Sequence, residues 1–285
     1  MHTFDTPRPI DVTVDAVGDI RITAGEGGDT VVSVTPRTPD KAADIHAAEQ
    51  VEVDLTGDLL TIKCVKSWRL ITGAKGVADI TIELPSKSRV SATTGMGAIV
   101  LDGELGRVSA KSAMGDITID HMATGRAKTA FGDVRIQRVD GDLDVATASG
   151  TVRIGDVHGS AIVKNSNGNT TMGHVTGALK IKAANGRIDV EQVDQSTVCK
   201  TSNGSTRIGC VGEGDVILSA AAGDMEIGIP QGTAAWLSLN SRFGRVRNEL
   251  DAAGGPATDE RQVKVTATTF TGDVLVRRAV ASAPR

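Results

Sequence analysis

Four lysines carry the most regular chemistry in this sequence. Lys164, Lys182 and Lys200 recur at intervals of 18 residues, and Lys128 stands two such intervals before Lys164, with Ala146 between them. Ammonium groups at a fixed spacing can grip a partner whose negative charge also repeats, such as an anionic polymer or a layer of lipid head groups. The same row can equally serve to keep a sheet face solvated and unattractive to other strands. Lys111 extends that side of the pattern.

The remaining candidates each have a plain structural alternative. Asp116 and Asp133 both follow a glycine and stand one repeat apart. Two carboxylates about 5 Å apart could act as acid and nucleophile on a glycosidic bond. Asp beside Gly is also an ordinary turn residue, and no aromatic residues accompany the pair to hold a sugar. His121 and His174 share a place in the repeat but lie three repeats apart, about 14 Å at a strand spacing of about 4.8 Å, too far for one metal ion. His158 and His174 fall in adjacent repeats and could approach, yet two ligands do not make a site. Cys199 falls at an apolar position and Cys210 at a corner, neither with a base at a recognisable spacing. We therefore assign no catalytic, cofactor or metal residue and expect a non-enzymatic protein.

The lysines repeat because the chain does. Glycines at 97, 115, 132, 150, 168, 186, 204 and 223 each precede a short strand-like phrase, as in Asp116-Ile117-Thr118-Ile119 and Thr151-Val152-Arg153-Ile154. Within each repeat, apolar residues fall into columns. Leu101, Ile119, Ile136, Ile154, Met172, Val190, Ile208 and Ile227 form one, and Met122, Val139, Val157, Val175, Val193 and Val211 another. Val145, Val163, Ile181 and Cys199 form a third, immediately before the lysines. Alternation of these with Arg135, Arg153, Lys164, Lys182 and Lys200 marks strands buried on one face. One such coil cannot bury its apolar face alone, so coils must stack. Asn167-Gly168, Asn185-Gly186 and Asn203-Gly204 predict tight corners, with the asparagines placed to hydrogen-bond from coil to coil.

The expected fold is all-β: a β-solenoid, or parallel β-helix-like array, of about 18 residues per coil over 91–280. Residues 1–90 are off the period and read as an irregular β N-terminal cap continuous with the solenoid. It contains one helical candidate, Asp40–Ala48. A less regular coil around Gly272 ends the array, after a loop-like excursion at Gly254–Arg261, and 281–285 reads as a disordered tail. Aromatics are only 2% of the 285 residues, which suits narrow stacked layers of Val, Ile, Leu and Ala. A net charge of −4 favours neither nucleic acid nor an anionic membrane in bulk. No basic start leads into an apolar run, and no stretch is long enough for a transmembrane segment. With three cysteines in no disulfide pattern, the expected location is the cytoplasm.

The recurring GDhxI-xxVxG phrase, with glycine at each repeat, resembles a large bacterial family of β-strand-repeat proteins. It is known as domain of unknown function 4097, and its members are often described as candidate adhesins. The resemblance covers about residues 10 to 280 and implies the fold, with no catalytic residues to carry over. The functional expectation is a scaffold or interaction protein whose partner is another protein or an anionic polymer or lipid surface, without specific nucleic acid. Two alternatives remain: a self-assembling, filament-forming protein that homo-oligomerises through its solenoid ends, and a carbohydrate-active enzyme using Asp116 and Asp133.

Overall fold

A computed structural model describes residues 1–64, 76–250 and 261–279. They fall into two compact units, Met1–Asp140 and Gly141–Arg285, so the sequence boundary near residue 90 lies inside the first. That unit begins with β1 (His2–Asp5), β2 (Asp11–Ala16), β3 (Ile20–Gly25), β4 (Asp29–Pro36), α1 (Ala42–Glu49), β5 (Val51–Thr56) and β6 (Leu59–Cys64). It continues with β7 (Ala78–Pro85), β8 (Arg89–Met96), β9 (Ile99–Met114), β10 (Ile117–Phe131) and β11 (Val134–Val139). The second unit opens with β12 (Leu143–Ser149), β13 (Val152–Val157), β14 (Ala161–Asn167), β15 (Thr170–Val175), β16 (Leu179–Asn185), β17 (Ile188–Val193) and β18 (Thr197–Asn203). β19 (Thr206–Val211), β20 (Gly214–Ala222), β21 (Met225–Ile229), β22 (Thr233–Phe243), β23 (Val246–Asn248), β24 (Arg261–Thr271) and β25 (Val274–Arg278) follow. The excursion expected at Gly254–Arg261 and the tail 281–285 lie outside the described residues, apart from Arg261.

Each unit is a β-solenoid. In the second, Ile154, Met172, Val190, Ile208 and Ile227 lie in one parallel register through β13, β15, β17, β19 and β21. Val145, Val163, Ile181 and Cys199 do the same through β12, β14, β16 and β18. In the first unit, Leu101 of β9, Ile119 of β10 and Ile136 of β11 share a register. All of these side chains are buried. β-branched residues alternating with polar ones suit a pleated strand wet on one side. Each fully buried Ile, Val or Leu contributes about 1.5–3 kcal/mol. The stacking also pairs every interior strand on both edges, which one isolated coil cannot achieve.

Corners repeat as strictly as columns. Gly115 has φ +143° and Gly186 φ +126°. A Cβ on Gly115 would run into the carbonyl oxygen of Gly97, and one on Gly186 into that of Gly168. The corner glycines are therefore stacked backbone to backbone, and both the dihedral and the space demand glycine. At several corners the residue three places earlier is an inward polar side chain that bonds the corner carbonyl of a neighbouring coil, although Ala183 holds that place before Gly186 and the buried Thr201 hydroxyl before Gly204 has no such bond. Ser112 Oγ donates to Gly97 O at 3.1 Å and Thr129 Oγ1 to Gly115 O at 3.1 Å. In the second unit Asn165 Nδ2 donates to Gly150 O at 3.2 Å and Thr269 Oγ1 to Gly223 O at 3.2 Å. The sequence pattern concealed this column, because short polar residues near a turn read as solvated.

The two ends are built by insertion. In the first unit β2 lies between β6 and β8, both parallel to it, with Val14 opposite Ile62 on one side and Ala92 on the other. β3 likewise lies between β7 and β9, with Ile22 opposite Ile82 and Leu101. Beyond this coil, β5 runs antiparallel on β6, β4 antiparallel on β7, and β1 antiparallel on β4. The helix expected at Asp40–Ala48 is α1, packed on β4 and β7. Its buried Asp44 accepts the Val77 N–H at 3.0 Å and lies 3.0 Å from Lys41 Nζ. Burial alone would raise the Asp44 pKa, but these bonds outweigh it and hold the carboxyl below the usual range.

In the second unit β24 lies between β20 and β22, and β25 between β21 and β23, all parallel. The coil carrying Gly272 is therefore not the last of the array, as the sequence suggested. The earlier segment β22–β23 lies outside it. Among the described residues, no helix is long and apolar enough to cross a membrane.

Candidate functional site

The lysine row is set by the strands beneath it. In β14, β16 and β18 the inward residues Val163, Ile181 and Cys199 are buried, so the next residue of each strand must point outward. Lys164, Lys182 and Lys200 occupy those places in direct register and are exposed. β16 adds Lys180 to the same face, between Ile162 of β14 and Val198 of β18. The sequence reading passed over Lys180 because it shares no column with the other three. The row is bounded by Ala146 on β12 and Ser219 on β20. None of the four lysines has an ion-pair partner among the described residues. Like charges about 5 Å apart in water repel by about 1 kcal/mol per neighbouring pair, a cost that an anionic partner would relieve.

Lys128 belongs to the first unit, where it is in register with Lys111. It is half-buried and already engaged by another group. The structure thus brings Lys164, Lys182 and Lys200 together, adds Lys180 and gives Lys128 different surroundings.

The other candidates have structural work. Asp116 Oδ1 accepts the Asp133 backbone N–H at 2.8 Å, and Asp133 Oδ2 is 3.4 Å from Arg135. Asp142, Asn169 and Asp224 accept backbone N–H groups one coil on in the same way, at 2.8–3.0 Å. The residue after the corner is therefore a fastener between coils, whether acid or amide. Cys199 is sealed in the core, and burial pushes its thiol up to about 12. The Cys210 thiol is also raised, by burial first and then by the charge of Asp194, against the opposing pull of Arg261. Both stay protonated, contrary to the needs of a nucleophile.

Two histidine–aspartate pairs escaped the sequence reading. His121 Nε2 lies 2.8 Å from Asp140 Oδ2, and His174 Nε2 lies 2.8 Å from Asp194 Oδ2. Each joins adjacent coils, and each carboxylate has a second clamp, Arg138 at 3.0 Å or Gln192 at 2.8 Å. His121 first and Arg138 second hold the Asp140 carboxyl below its usual range. The signal was present as a histidine six residues past one corner and an aspartate eight past the next, but it shows only once coils are laid on one another. No group of three His, Cys, Asp or Glu among the described residues could hold a metal ion.

Residues 8–277 match the Toastrack family, domain of unknown function 4097. The chain belongs to that family. This Toastrack protein is also similar to three solved bacterial structures. One is a candidate lipid-binding protein of Parabacteroides distasonis, 14% identical, with 95% of each chain covered and a TM-score of 0.40. A candidate adhesin of Bacteroides fragilis is 13% identical, with 96% of this chain and 95% of that one covered and a TM-score of 0.29. A candidate adhesin of Parabacteroides distasonis is 14% identical, with the same coverage and a TM-score of 0.33. No curated protein matches the chain.

Proposed function

We propose that the protein is a non-enzymatic interaction scaffold of the bacterial cytoplasm, whose second unit presents a flat cationic face to an anionic, regularly charged partner. The observation that carries this reading is the in-register row Lys164, Lys182 and Lys200, joined by Lys180 and without ion pairs among the described residues. A rigid sheet holds these charges at a constant spacing, so a partner with a similar repeat meets them without reordering them. The non-enzymatic part is supported by the fastening role of Asp116 and by the raised thiols of Cys199 and Cys210. Three cysteines in no disulfide fit a reducing compartment.

The test is binding of the full chain to phosphatidylserine-containing vesicles and, separately, to linear polyphosphate. Joint replacement Lys164→Glu, Lys182→Glu and Lys200→Glu should weaken binding to the true partner class by at least about 100-fold at low salt, at about 1 kcal/mol or more per charge. Wild-type protein that binds neither probe, or a triple variant that binds both as well as wild type, would overturn the reading.

A further inference from the structure

We infer that the outer coil of the second unit, β22–β23, docks on the outer strand of the first unit, β5, of a second copy of this chain. The site is separate from the lysine face and does not depend on it.

The argument begins with uncovered edges. β22 pairs with β24 along one side, and no described residue pairs with its other side. Its inward row shows the consequence. Ala235, Leu237 and Leu239 are half-exposed, whereas their register partners Val263, Val265 and Ala267 are each 0% exposed. Among the described residues, none forms a next layer over this row. β5 is in the same condition. It pairs with β6 along one side; Val53 and Leu55 are half-exposed opposite Ile62 and Leu60, both 0% exposed, and Val51 is half-exposed opposite Cys64, which is itself only partly buried. Among the described residues each of these strands has one edge without a backbone partner, alternating with half-covered aliphatic side chains, the arrangement that strand addition uses.

Composition singles out β22–β23 as a contact surface. The chain has six aromatic residues, four Phe and two Trp, and three of them stand exposed on this coil and its neighbour. Trp236 is 62% exposed, Phe243 58% and Phe270 50%. The Arg242 guanidinium lies 5.7 Å from the Phe243 ring centre and 5.1 Å from that of Phe270. Phe243, Phe270 and Arg242 thus form one exposed cluster, with Trp236 exposed further along β22, and exposed Trp, Phe and Arg are the residues that interfaces favour and that carry most binding energy.

Charge selects the occupant. Arg242, Arg245 and Arg247 are all exposed on the outer coil, with Glu249 as its one acid among the described residues and Asp273 of the adjoining coil 3.8 Å from Arg247. Around β5, Glu49, Glu52, Asp54 and Asp58 are exposed, with Lys63 opposite Glu52. Outer coil against outer coil would set arginines near arginines, and β5 against β5 would set acids near acids. The basic coil against the acidic strand joins opposite charges across paired backbone. Such a joint is heterologous, so copies join head to tail, into closed rings or open chains.

The experiment is sedimentation velocity on the full chain over about 1 to 100 µM. Wild-type protein should form oligomers in a share that rises with concentration. Arg245→Glu with Arg247→Glu, and separately Glu52→Lys with Asp54→Lys, should each shift the onset of association upward by at least about tenfold. A mixture of the two variants should associate again, because the first retains a native β5 and the second a native outer coil. All substituted positions are exposed, and circular dichroism would confirm that both variants fold. A wild type that stays monomeric throughout, association that neither charge reversal shifts, or variants that fail to associate on mixing would each overturn the inference. The Lys164, Lys182 and Lys200 triple variant should assemble like wild type, which separates failure of this inference from failure of the proposed function.

Discussion

At the position just before the corner glycine, the two units make opposite choices. In the first, Met96, Met114 and Phe131 stand in register on successive coils, 43%, 49% and 59% exposed. In the second, the same place holds Asn167, Asn185 and Asn203. There the amides form a ladder: Asn185 Nδ2 donates to Asn167 Oδ1 at 2.8 Å and Asn203 Nδ2 to Asn185 Oδ1 at 3.0 Å. Asn167 Nδ2 in turn donates to Ala148 O at 3.3 Å. One corner is tied by side chains and the other leaves apolar surface in water, yet the backbone turns the same way in both. The corner is therefore made by the stacked glycines, fastened at some coils by a polar residue three places earlier, while the residue before the glycine is free to serve another purpose.

The comparison breaks most severely at the shared element. Gly115→Ala and Gly186→Ala should each destabilise their unit by about 2–4 kcal/mol, since both force strain at positive φ and a clash with the next corner. Denaturant unfolding of each variant would check this, and a loss confined to one unit would mean that the corners are not equivalent. Next in size is the contrast between columns. Asn185→Ala removes two ladder bonds and should cost about 1–2 kcal/mol. Met114→Ala, exposed and unbonded, should change stability by no more than about 0.5 kcal/mol. Equal losses in the two variants would reduce the ladder to decoration.

The smallest effect concerns acid and the first unit. The carboxyls of Asp44 and Asp140 are held below their usual range. A depressed folded pKa means that their contribution is fully present above the unfolded value, near about 4, and is lost as pH falls through the lower folded values. The thermal midpoint should therefore fall below about pH 4, and Asp44→Asn should flatten that part of the profile. A variant with an undiminished acid slope would assign the slope to other groups.

Much of the repeat was readable because it is local and redundant. The Leu101–Ile119–Ile136 and Ile154–Met172–Val190 columns follow from residues that alternate along a strand and recur once per coil, and eight repetitions average out exceptions such as Met172. The asparagine ladder was legible for the same reason. Lys164, Lys182 and Lys200 were placed correctly by their fixed step from buried neighbours, whereas Lys180 needed the observation that β16 exposes two successive outward positions. The His121–Asp140 and His174–Asp194 pairs were hidden because each partner is unremarkable alone, and only the coil-to-coil alignment joins different offsets.

What the sequence settled by itself is the unit of construction: a coil of about 18 residues, its inward columns and its glycine corners, all consequences of side-chain alternation and of backbone conformations open to glycine alone. What only the tertiary structure decided is the order of coils at the ends. β2–β3 slips between β6–β7 and β8–β9, and β24–β25 between β20–β21 and β22–β23, in each case separating two segments that are consecutive in the chain, because a strand with apolar residues on its inward side gains most where both its edges are paired. Among the described residues that choice leaves β22 and β5 each paired along one edge, and a one-dimensional pattern carries no signal for which of several compatible strands will be left so.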